Sequence, residues 1–378
     1  MRYAISLLTI FGFSTAFAEL AVEPIPHVLT LPHQYPNTWV YVHDMNFNSL
    51  VDGKIVVLDV AAASHNYKGS IGAGQFASFN YSRQREELYV AESFYSRRTR
   101  GQVTDVLTIY DRQNLVPVAE IVLPGDQRMK VVTHKHALQL IENERLALVS
   151  NFTPASSVTV VDLVARKVLG EIQTPACSLT YPTGKRGFST LCSNGTLRTY
   201  LLKKDGSVES ESISDVFIDI DRNPLFAKTA EADGITYFPS YQGQVRPIDF
   251  RADAPRLLPV WDLVSPDLKK EQWRPGGWQV IGGVGNKLYV LMHPEGKEGS
   301  HKGGGSEVWV FDAEKQQRIQ RIPLKSWGFS IEVTDSDPGY LVVTNVDMQT
   351  DVYDAASGKY LRRLKVAAEP FVMHAHRG

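Results

Sequence analysis

The chain has 378 residues, of which 43% are hydrophobic and 21% are charged. This length and composition are ordinary for a globular protein and allow a large buried core. The 40 lysines and arginines nearly balance the 41 aspartates and glutamates, which argues against a basic surface for nucleic acid.

The first 18 residues have the pattern of a secretory signal peptide. Arg2 supplies a positive start, residues 3–13 are mostly apolar, and residues 16–18 match an A-x-A cleavage site. The apolar run is shorter than the ~20 residues that span a bilayer, which argues against a membrane anchor. We therefore expect cleavage after Ala18, export to the periplasm of a Gram-negative cell, and a single domain at 19–378.

A short motif recurs along the rest of the chain. Each copy is an apolar, β-branched or aromatic run that ends in Asp and precedes a polar turn and a second apolar strand. The Asp side chain can accept N–H bonds from the turn, which would hold a tight hairpin. The clearest copies are 55–59, 107–111, 158–162, 308–312 and 351–354, with a weaker copy at 245–249 and a seventh, without the aspartate, at 197–202.

The number of copies sets the expected fold. Seven copies leave ~50 residues for each, which is the size of a four-stranded propeller blade. We therefore predict an all-β, seven-bladed β-propeller. Eight blades and a pair of β-sandwiches are the alternatives, although sandwiches do not require the same hairpin so often. The best helical candidate is 265–272, with Ser265 as N-cap and Pro266 at the first helical position, and we expect one or two turns there.

Three polar clusters are better explained by ordinary surface or terminal positions than by a metal site. His134 and His136 would lie on one face of a strand, but no third metal ligand is evident nearby, so we expect a solvated loop or strand face. For the histidines at 373–376, disorder is the default expectation because they lie at the terminus. The three aspartates at 215–221 lack the glycine-containing loop of calcium sites and are interpreted as an exposed strand edge.

Cys177 and Cys192 are the two cysteines of the chain. In an exported protein two lone thiols more often pair than stay free, and the turn at 182–187 could bring their strands together. Closing a loop of ~15 residues contributes roughly 3 kcal/mol in the chain-entropy account. A redox-active pair is the alternative, although the spacing lacks C-x-x-C.

The common catalytic signatures are missing from the sequence. We find no G-x-S-x-G elbow, no phosphate-binding G-x-x-x-x-G-K-[ST] and no C-x-x-C-H for covalent haem. The glycine-rich run at 281–286 lies between strands and opens no helix. We therefore predict no catalytic and no metal-binding residues in this chain.

The most distinctive segments lie at 273–278, 293–302 and 307–312. They read Trp-Arg-Pro-Gly-Gly-Trp, His-Pro-Glu-Gly-Lys-Glu-Gly-Ser-His-Lys and Glu-Val-Trp-Val-Phe-Asp. The chain closely resembles the heavy subunit of bacterial quinoprotein amine dehydrogenases, from about Thr38 to Phe371. The 293–302 run, and the lack of a long alanine-rich extension, make it most similar to the aromatic amine dehydrogenase type.

This resemblance implies a large, non-catalytic subunit of a periplasmic enzyme. In that family the cofactor, tryptophan tryptophylquinone, is made from two tryptophans of a separate small subunit, which also carries the aspartate base. The subunits form an α2β2 heterotetramer. The enzyme oxidises a primary amine to an aldehyde and ammonia, and electrons pass singly to a blue-copper protein resembling azurin or amicyanin. We accordingly expect no cofactor on this chain itself.

The resemblance also implies roles for individual residues. Phe47 falls where a family phenylalanine lines the hydrophobic channel to the quinone. The charged loop at 94–105 and the histidine-containing run suit a contact with the small subunit, because Arg forms forked hydrogen bonds. The expected contact residues are Arg97, Arg100, Asp105, His301 and Lys302.

Two other functions stay open at this stage. One is a stand-alone propeller hydrolase that uses a metal ion held by carboxylates at the central channel, for which bound calcium would be the sign. The other is a propeller that only binds a partner. A neighbouring reading frame for a small, cysteine-dense exported protein would argue against the second of these.

Overall fold

The computed structural model describes residues 29–377, so the expected signal peptide and its cleavage site lie outside the described part. These residues form twenty-nine β-strands and four single-turn 3-10 helices. The all-β propeller class is confirmed. Within 29–377 there is no helix long and apolar enough to cross a membrane.

Five sheets of the propeller are separate, and their neighbouring strands are antiparallel. The first sheet joins both ends of the described chain and contains β1 (Trp39–Asp44), β2 (Lys54–Asp59), β3 (Tyr67–Gly72) and β29 (Pro370–Ala375). The second contains β4 (Ser78–Tyr81), β5 (Glu87–Arg97), β6 (Arg100–Asp111) and β7 (Pro117–Val122). The third contains β8 (Leu138–Ile141), β9 (Leu146–Asn151), β10 (Ser157–Asp162) and β11 (Lys167–Gln173).

Two further separate sheets follow in chain order. The fourth contains β12 (Cys177–Thr183), β13 (Gly187–Cys192), β14 (Leu197–Leu202) and β15 (Val208–Ile213). The fifth has five strands, β16 (Ala230–Ala232), β17 (Ile235–Pro239), β18 (Gln244–Asp249), β19 (Arg256–Leu257) and β20 (Trp261–Asp262).

The remaining strands form one continuous eight-stranded sheet, so the prediction of seven separate blades is wrong. Its strands are β21 (Arg274–Pro275), β22 (Ile281–Val284), β23 (Lys287–His293), β24 (Gly305–Asp312), β25 (Gln317–Val333), β26 (Tyr340–Asn345), β27 (Thr350–Asp354) and β28 (Tyr360–Leu364). The propeller thus has five individual blades and this long sheet.

The cause of the difference is β25, which runs for 17 residues as one strand. Its first half pairs with β24, as in Glu307↔Pro323, and its second half pairs with β26, as in Ile331↔Val343. The copies at 308–312 and 351–354 therefore lie in one sheet. Counting Asp-terminated strands could not show that the segment joining them remains extended.

The turn chemistry expected for the repeated motif is confirmed. In six copies the aspartate carboxylate accepts a backbone N–H from the turn that follows, and these aspartates are Asp59, Asp111, Asp162, Asp249, Asp312 and Asp354. In the copy that lacks this aspartate, Asp205 accepts the N–H of Ser207 instead. These local bonds hold the hairpins in register while their apolar faces stack.

The disulfide is confirmed, but two other expectations are corrected. Cys177 and Cys192 are bonded as directly opposed residues of β12 and β13. The segment 265–272 contains the expected single turn, the 3-10 turn Lys269–Glu271, but its N-cap is Leu268 and not Ser265. The histidines at 373–376 are ordered because β29 pairs with β1 in the first sheet.

Candidate docking face and substrate entrance

One end of the propeller is formed by loops that follow the second strand of each sheet, and we call it the loop face. It comprises residues 45–53, 97–100, 151–157, 192–197, 239–244, 294–304 and 345–350, together with the segments that lead into the innermost strands. Arg98 Nη2 lies 3.2 Å from Asp52 Oδ2, which joins two of these loops. Trp327 of β25 donates its indole N–H to the Gly303 carbonyl at 2.6 Å, which joins the loop 294–304 to that strand.

Asp44, at the end of β1, fixes the position of the loop that carries Phe47. Its buried carboxylate accepts the backbone N–H groups of Asn46 at 3.2 Å, Ala368 at 2.9 Å and Glu369 at 2.8 Å. The Phe47 N–H in turn donates to the Glu369 side chain. These bonds tie the loop to the segment before β29, and Phe47 therefore has a fixed place beside Phe371.

Four aromatic side chains continue from this point in a line, which we call the aromatic row: Phe76, Phe47, Phe371 and Trp278. Successive ring centroids are 6.1, 4.9 and 6.1 Å apart. Phe329 packs against Phe371 at 5.0 Å from one side. Phe47 is 36% exposed, so the row lies at the surface of the loop face. Tilted and edge-to-face rings at these distances leave an apolar surface suited to another aromatic group.

Arg128 supports the row from below. Its buried guanidinium donates to the carbonyl oxygens of Gln75 at 2.7 Å and Phe76 at 2.8 Å, and to Ser93 Oγ at 2.8 Å. Burial lowers the pKa of Arg128 to about 10. Arg128 therefore remains charged at neutral pH, and it fixes the backbone that presents Phe76.

The predicted contact residues of the hairpin lie in two different environments. Arg97 and Arg100 face each other at the exposed tip of β5 and β6. Asp105 is fully buried, accepts Ser93 Oγ–H at 2.5 Å and forms an ion pair with Lys130 at 3.3 Å. The arginines are thus available to a partner, whereas Asp105 acts within the chain at the base of the hairpin.

His301 and Lys302 lie in the 3-10 turn Ser300–Lys302 on the loop face. The His301 ring stacks on Tyr241 with centroids 4.0 Å apart. Partial burial, with nearby Lys302 and Lys228, lowers the pKa of His301. The other histidine of the run, His293, is buried and bonded to Ser300 at 2.8 Å. The run is therefore a folded turn anchored on aromatic and hydroxyl partners.

The prediction of a solvated face for His134 and His136 is wrong. Both side chains line cavities near the propeller axis, and burial, as the largest cause, lowers both pKa values to about 3. His136 Nε2 is 2.8 Å from Thr229 Oγ1. Lys135 between them forms an ion pair with Glu332. The segment 134–136 is thus an interior turn beneath the loop face.

The loop face also exposes several large apolar side chains. They are Phe47 at 36%, Phe94 at 50%, Phe152 at 39%, Trp327 at 39% and Val346 at 47% exposed. Single exposed apolar residues are normal, and contiguous apolar patches are typical of interaction surfaces. Arginines at 97–100 border this surface.

Trp273 and Trp309 are in ring contact at 5.0 Å, and both are buried. Their indole N–H groups are bonded to Glu271 and Glu307, and the Arg321 guanidinium lies over both rings. These two tryptophans therefore pack within the fold. Residues 29–377 also contain no cluster of three or more His, Cys, Asp or Glu arranged to hold a metal ion.

Fold and surface together define a β-propeller with an aromatic, arginine-bordered surface at one end. The profile of the methylamine dehydrogenase heavy chain family matches residues 37–374. The chain belongs to this family. The boundaries agree with the resemblance that runs from about Thr38 to Phe371.

Individual relatives agree with the family assignment. The chain is 26% identical to the methylamine dehydrogenase heavy chain of Methylophilus methylotrophus over 81% of this chain and 76% of the relative. It is 28% identical to that of Methylorubrum extorquens over 71% of this chain and 66% of the relative. A crystal structure of a Lactobacillus plantarum protein shares the fold, with a TM-score of 0.62, 13% identity and coverage of 89% and 98%.

Several residues of the loop face could not be assigned to it from the sequence. Arg128, Trp278, Phe371 and Lys228 come from different sheets or linkers and meet only in the closed propeller. Trp278 stood out within the 273–278 run, but nothing in the sequence placed it near Phe371. The partners of the Asp44 carboxylate, at 368–369, lie more than three hundred positions away in sequence. The sequence alone therefore does not identify them.

Proposed function

We propose that this chain is the large, non-catalytic subunit of a periplasmic, quinone-dependent amine dehydrogenase and that its loop face binds the small catalytic subunit in an α2β2 assembly. Membership of the methylamine dehydrogenase heavy chain family supports this proposal most strongly. The apolar side chains and arginines of the loop face supply the type of surface that such a partner would cover.

The work of this chain in such an enzyme is physical. A quinone cofactor held by the small subunit would supply the redox chemistry, and a blue-copper protein would be the electron acceptor. Phe47 and Phe371 form a wall where the substrate enters, and Asp44 and Arg128 hold that wall in place. A wall fixed in this way selects substrates by shape and excludes water from the entrance.

The aromatic row supports primary aromatic amines as the substrate class. A phenyl ring bound beside Phe47 can pack edge to face or offset on the row, and such a contact adds ~0.5–1.5 kcal/mol beyond area burial. A methyl group gains little from the same surface. We therefore expect arylalkylamines to be oxidised with a higher kcat/KM than methylamine.

The decisive experiment separates the chain from its partner. The purified chain alone should show no visible absorbance and no amine oxidation with an artificial electron acceptor. The complex isolated from the host should contain a small, cysteine-rich second subunit and have both properties. An isolated chain that is coloured and oxidises amines would overturn the proposal.

A further inference from the structure

Lys228 occupies an unusual position on the loop face. It lies two residues before β16, is half-buried, and its Nζ is 3.9 Å from the centroid of the Trp278 ring. The same pocket is lined by Thr133, His134, Lys135, His136, Thr229, Gln279 and Val372. The cavity holds about 20 Å³, which admits the tip of one polar group but not a free metabolite.

The Lys228 ammonium has no anionic partner among residues 29–377. It forms neither an ion pair nor a hydrogen bond there, and its Nζ lies over the face of Trp278. Two other half-buried lysines differ, because Lys135 is paired with Glu332 and Lys130 with Asp105. Burial lowers the pKa of Lys228 to about 8, so most molecules still carry the charge at pH 7.

A second polar group in the same pocket also lacks a partner. The Nδ1 atom of His134 is buried without a hydrogen bond, and the ring lies 5.1 Å from Trp278. The low pKa of His134 keeps the imidazole neutral, and a neutral imidazole can donate one N–H. The Lys228 ammonium only donates hydrogen bonds, and the Nδ1–H tautomer of His134 donates as well, so one group that accepts hydrogen bonds can bind both. A carboxylate is such a group.

The pocket adjoins the surface that the partner would cover. Trp278 belongs to the aromatic row, and its ring centroid lies 6.1 Å from that of Phe371. The positive charge of Lys228 also contributes to the lowered pKa of the nearby His301. We propose that an acidic side chain of the small subunit enters this pocket, pairs with Lys228 and fixes the partner beside the aromatic row. This inference rests on the proposed function, because the small subunit supplies the carboxylate.

Partial burial of Lys228 affects the strength of its pairing with a carboxylate. A half-buried ammonium has already lost part of its hydration, so a carboxylate that reaches it gains more than it would on an open surface. The cation–π contact with Trp278 compensates only partly for the lost hydration. Removal of the charge should therefore weaken the complex more than removal of an exposed lysine.

The test titrates the separated small subunit into the full chain and measures Kd at several NaCl concentrations. Lys228→Met keeps the hydrocarbon stem against Trp278 and removes the charge. Lys228→Arg keeps a cation, and Lys359→Met is a matched change at an exposed lysine in the turn between β27 and β28. We expect Kd to rise at least tenfold for Lys228→Met, with a weaker salt dependence. Lys228→Arg and Lys359→Met should stay within about threefold of the unchanged chain.

A second measurement follows the lysine directly. After reductive methylation with ¹³C-formaldehyde, the NMR signal of Lys228, assigned by its loss in Lys228→Met, should report a higher pKa in the complex than in the free chain. An unchanged pKa, or a Lys228→Met chain that binds as tightly as the unchanged one, would overturn the carboxylate inference alone. If the unchanged chain binds no small subunit, the proposed function itself is wrong.

Discussion

The rings of Phe47 and Phe371 meet edge to face with their centroids 4.9 Å apart, and this contact joins the loop after β1 to β29, the last described strand. We predict that Phe47→Ala widens the entrance in the assembled enzyme and changes the preference among amines more than it changes folding. The ratio of kcat/KM for a bulky arylalkylamine to that for methylamine should change at least fivefold, while Tm falls by no more than a few degrees.

Phe152→Ala is the matched control, because Phe152 is similarly exposed on the loop face but lies outside the aromatic row. That variant should keep the original amine preference. An unaltered preference across amine sizes in the Phe47→Ala enzyme would refute the channel role of Phe47.

Arg128 should be a major determinant of stability. Arg128→Met leaves the carbonyl groups of Gln75 and Phe76 without their donor and the buried Asp105 with one cation fewer nearby. We expect the free energy of unfolding to fall by about 3 kcal/mol, measured by urea denaturation of the isolated chain. Arg98→Met, at the exposed hairpin tip, should change it by less than about 0.5 kcal/mol. Equal effects of the two changes would contradict this account.

The Asp-terminated turns should make stability depend on pH in acid. Burial alone would raise the pKa of Asp162, but the Ala165 N–H and the Arg145 guanidinium lower it below its usual value. An unfolded aspartate titrates near pH ~3.9, so the carboxylate stabilises the fold above that pH. The contribution is then lost as the pH falls through the lowered folded value.

Asp162→Asn tests this dependence. The variant should unfold more easily than the unchanged chain at pH 7, and the difference should shrink as the pH falls below about 4. Urea denaturation at pH 7 and pH 2.5 measures both values. Asp253→Asn, at an exposed position, should show no such convergence. A difference that stays constant with pH would show that the carboxylate charge is not the cause.

The disulfide should stabilise the fourth sheet without being required to form it. Cys177 and Cys192 are 15 positions apart and lie opposite each other in the antiparallel pair of β12 and β13. We expect the Cys177→Ser, Cys192→Ser double variant to fold with about 3 kcal/mol less stability, because its unfolded chain is less restricted. Reductant should destabilise the unchanged chain to the same level and leave the double variant unaffected. Equal sensitivity of both chains to reductant would contradict this.

Local chemistry made part of the fold predictable. In a run such as 158–162 the local sequence determines the local structure. Alternating apolar residues form the strand, and the Asp162 carboxylate accepts the Ala165 N–H in the turn after it. The cysteine pair was accessible for the same reason, because one hairpin joins its two members. The length of β25 could not be predicted from the sequence. The strand passes from pairing with β24 to pairing with β26, and no turn residue marks the change.

The aromatic row and its surroundings were less predictable than the fold, because their residues meet only when the propeller closes. Phe47 could be placed in a channel only through resemblance, and its neighbour Phe371 follows from the pairing of β29 with β1. The histidines at 134 and 136 looked like surface residues because polar side chains usually are. They are interior because the axis of a propeller is a place where polar groups can be buried together, as Lys135 and Glu332 are.

The pairing of β29 with β1 has a consequence for biosynthesis. The Tyr41 hydroxyl and His376 Nδ1 lie 3.3 Å apart although they are separated by 335 positions in sequence. During translation, the exposed edge of β1 must wait for nearly the whole chain to leave the ribosome before its partner exists. A nascent chain stalled before residue 370 would therefore be an open arc with unsatisfied strand edges, prone to aggregation and dependent on chaperones until the last strand arrives.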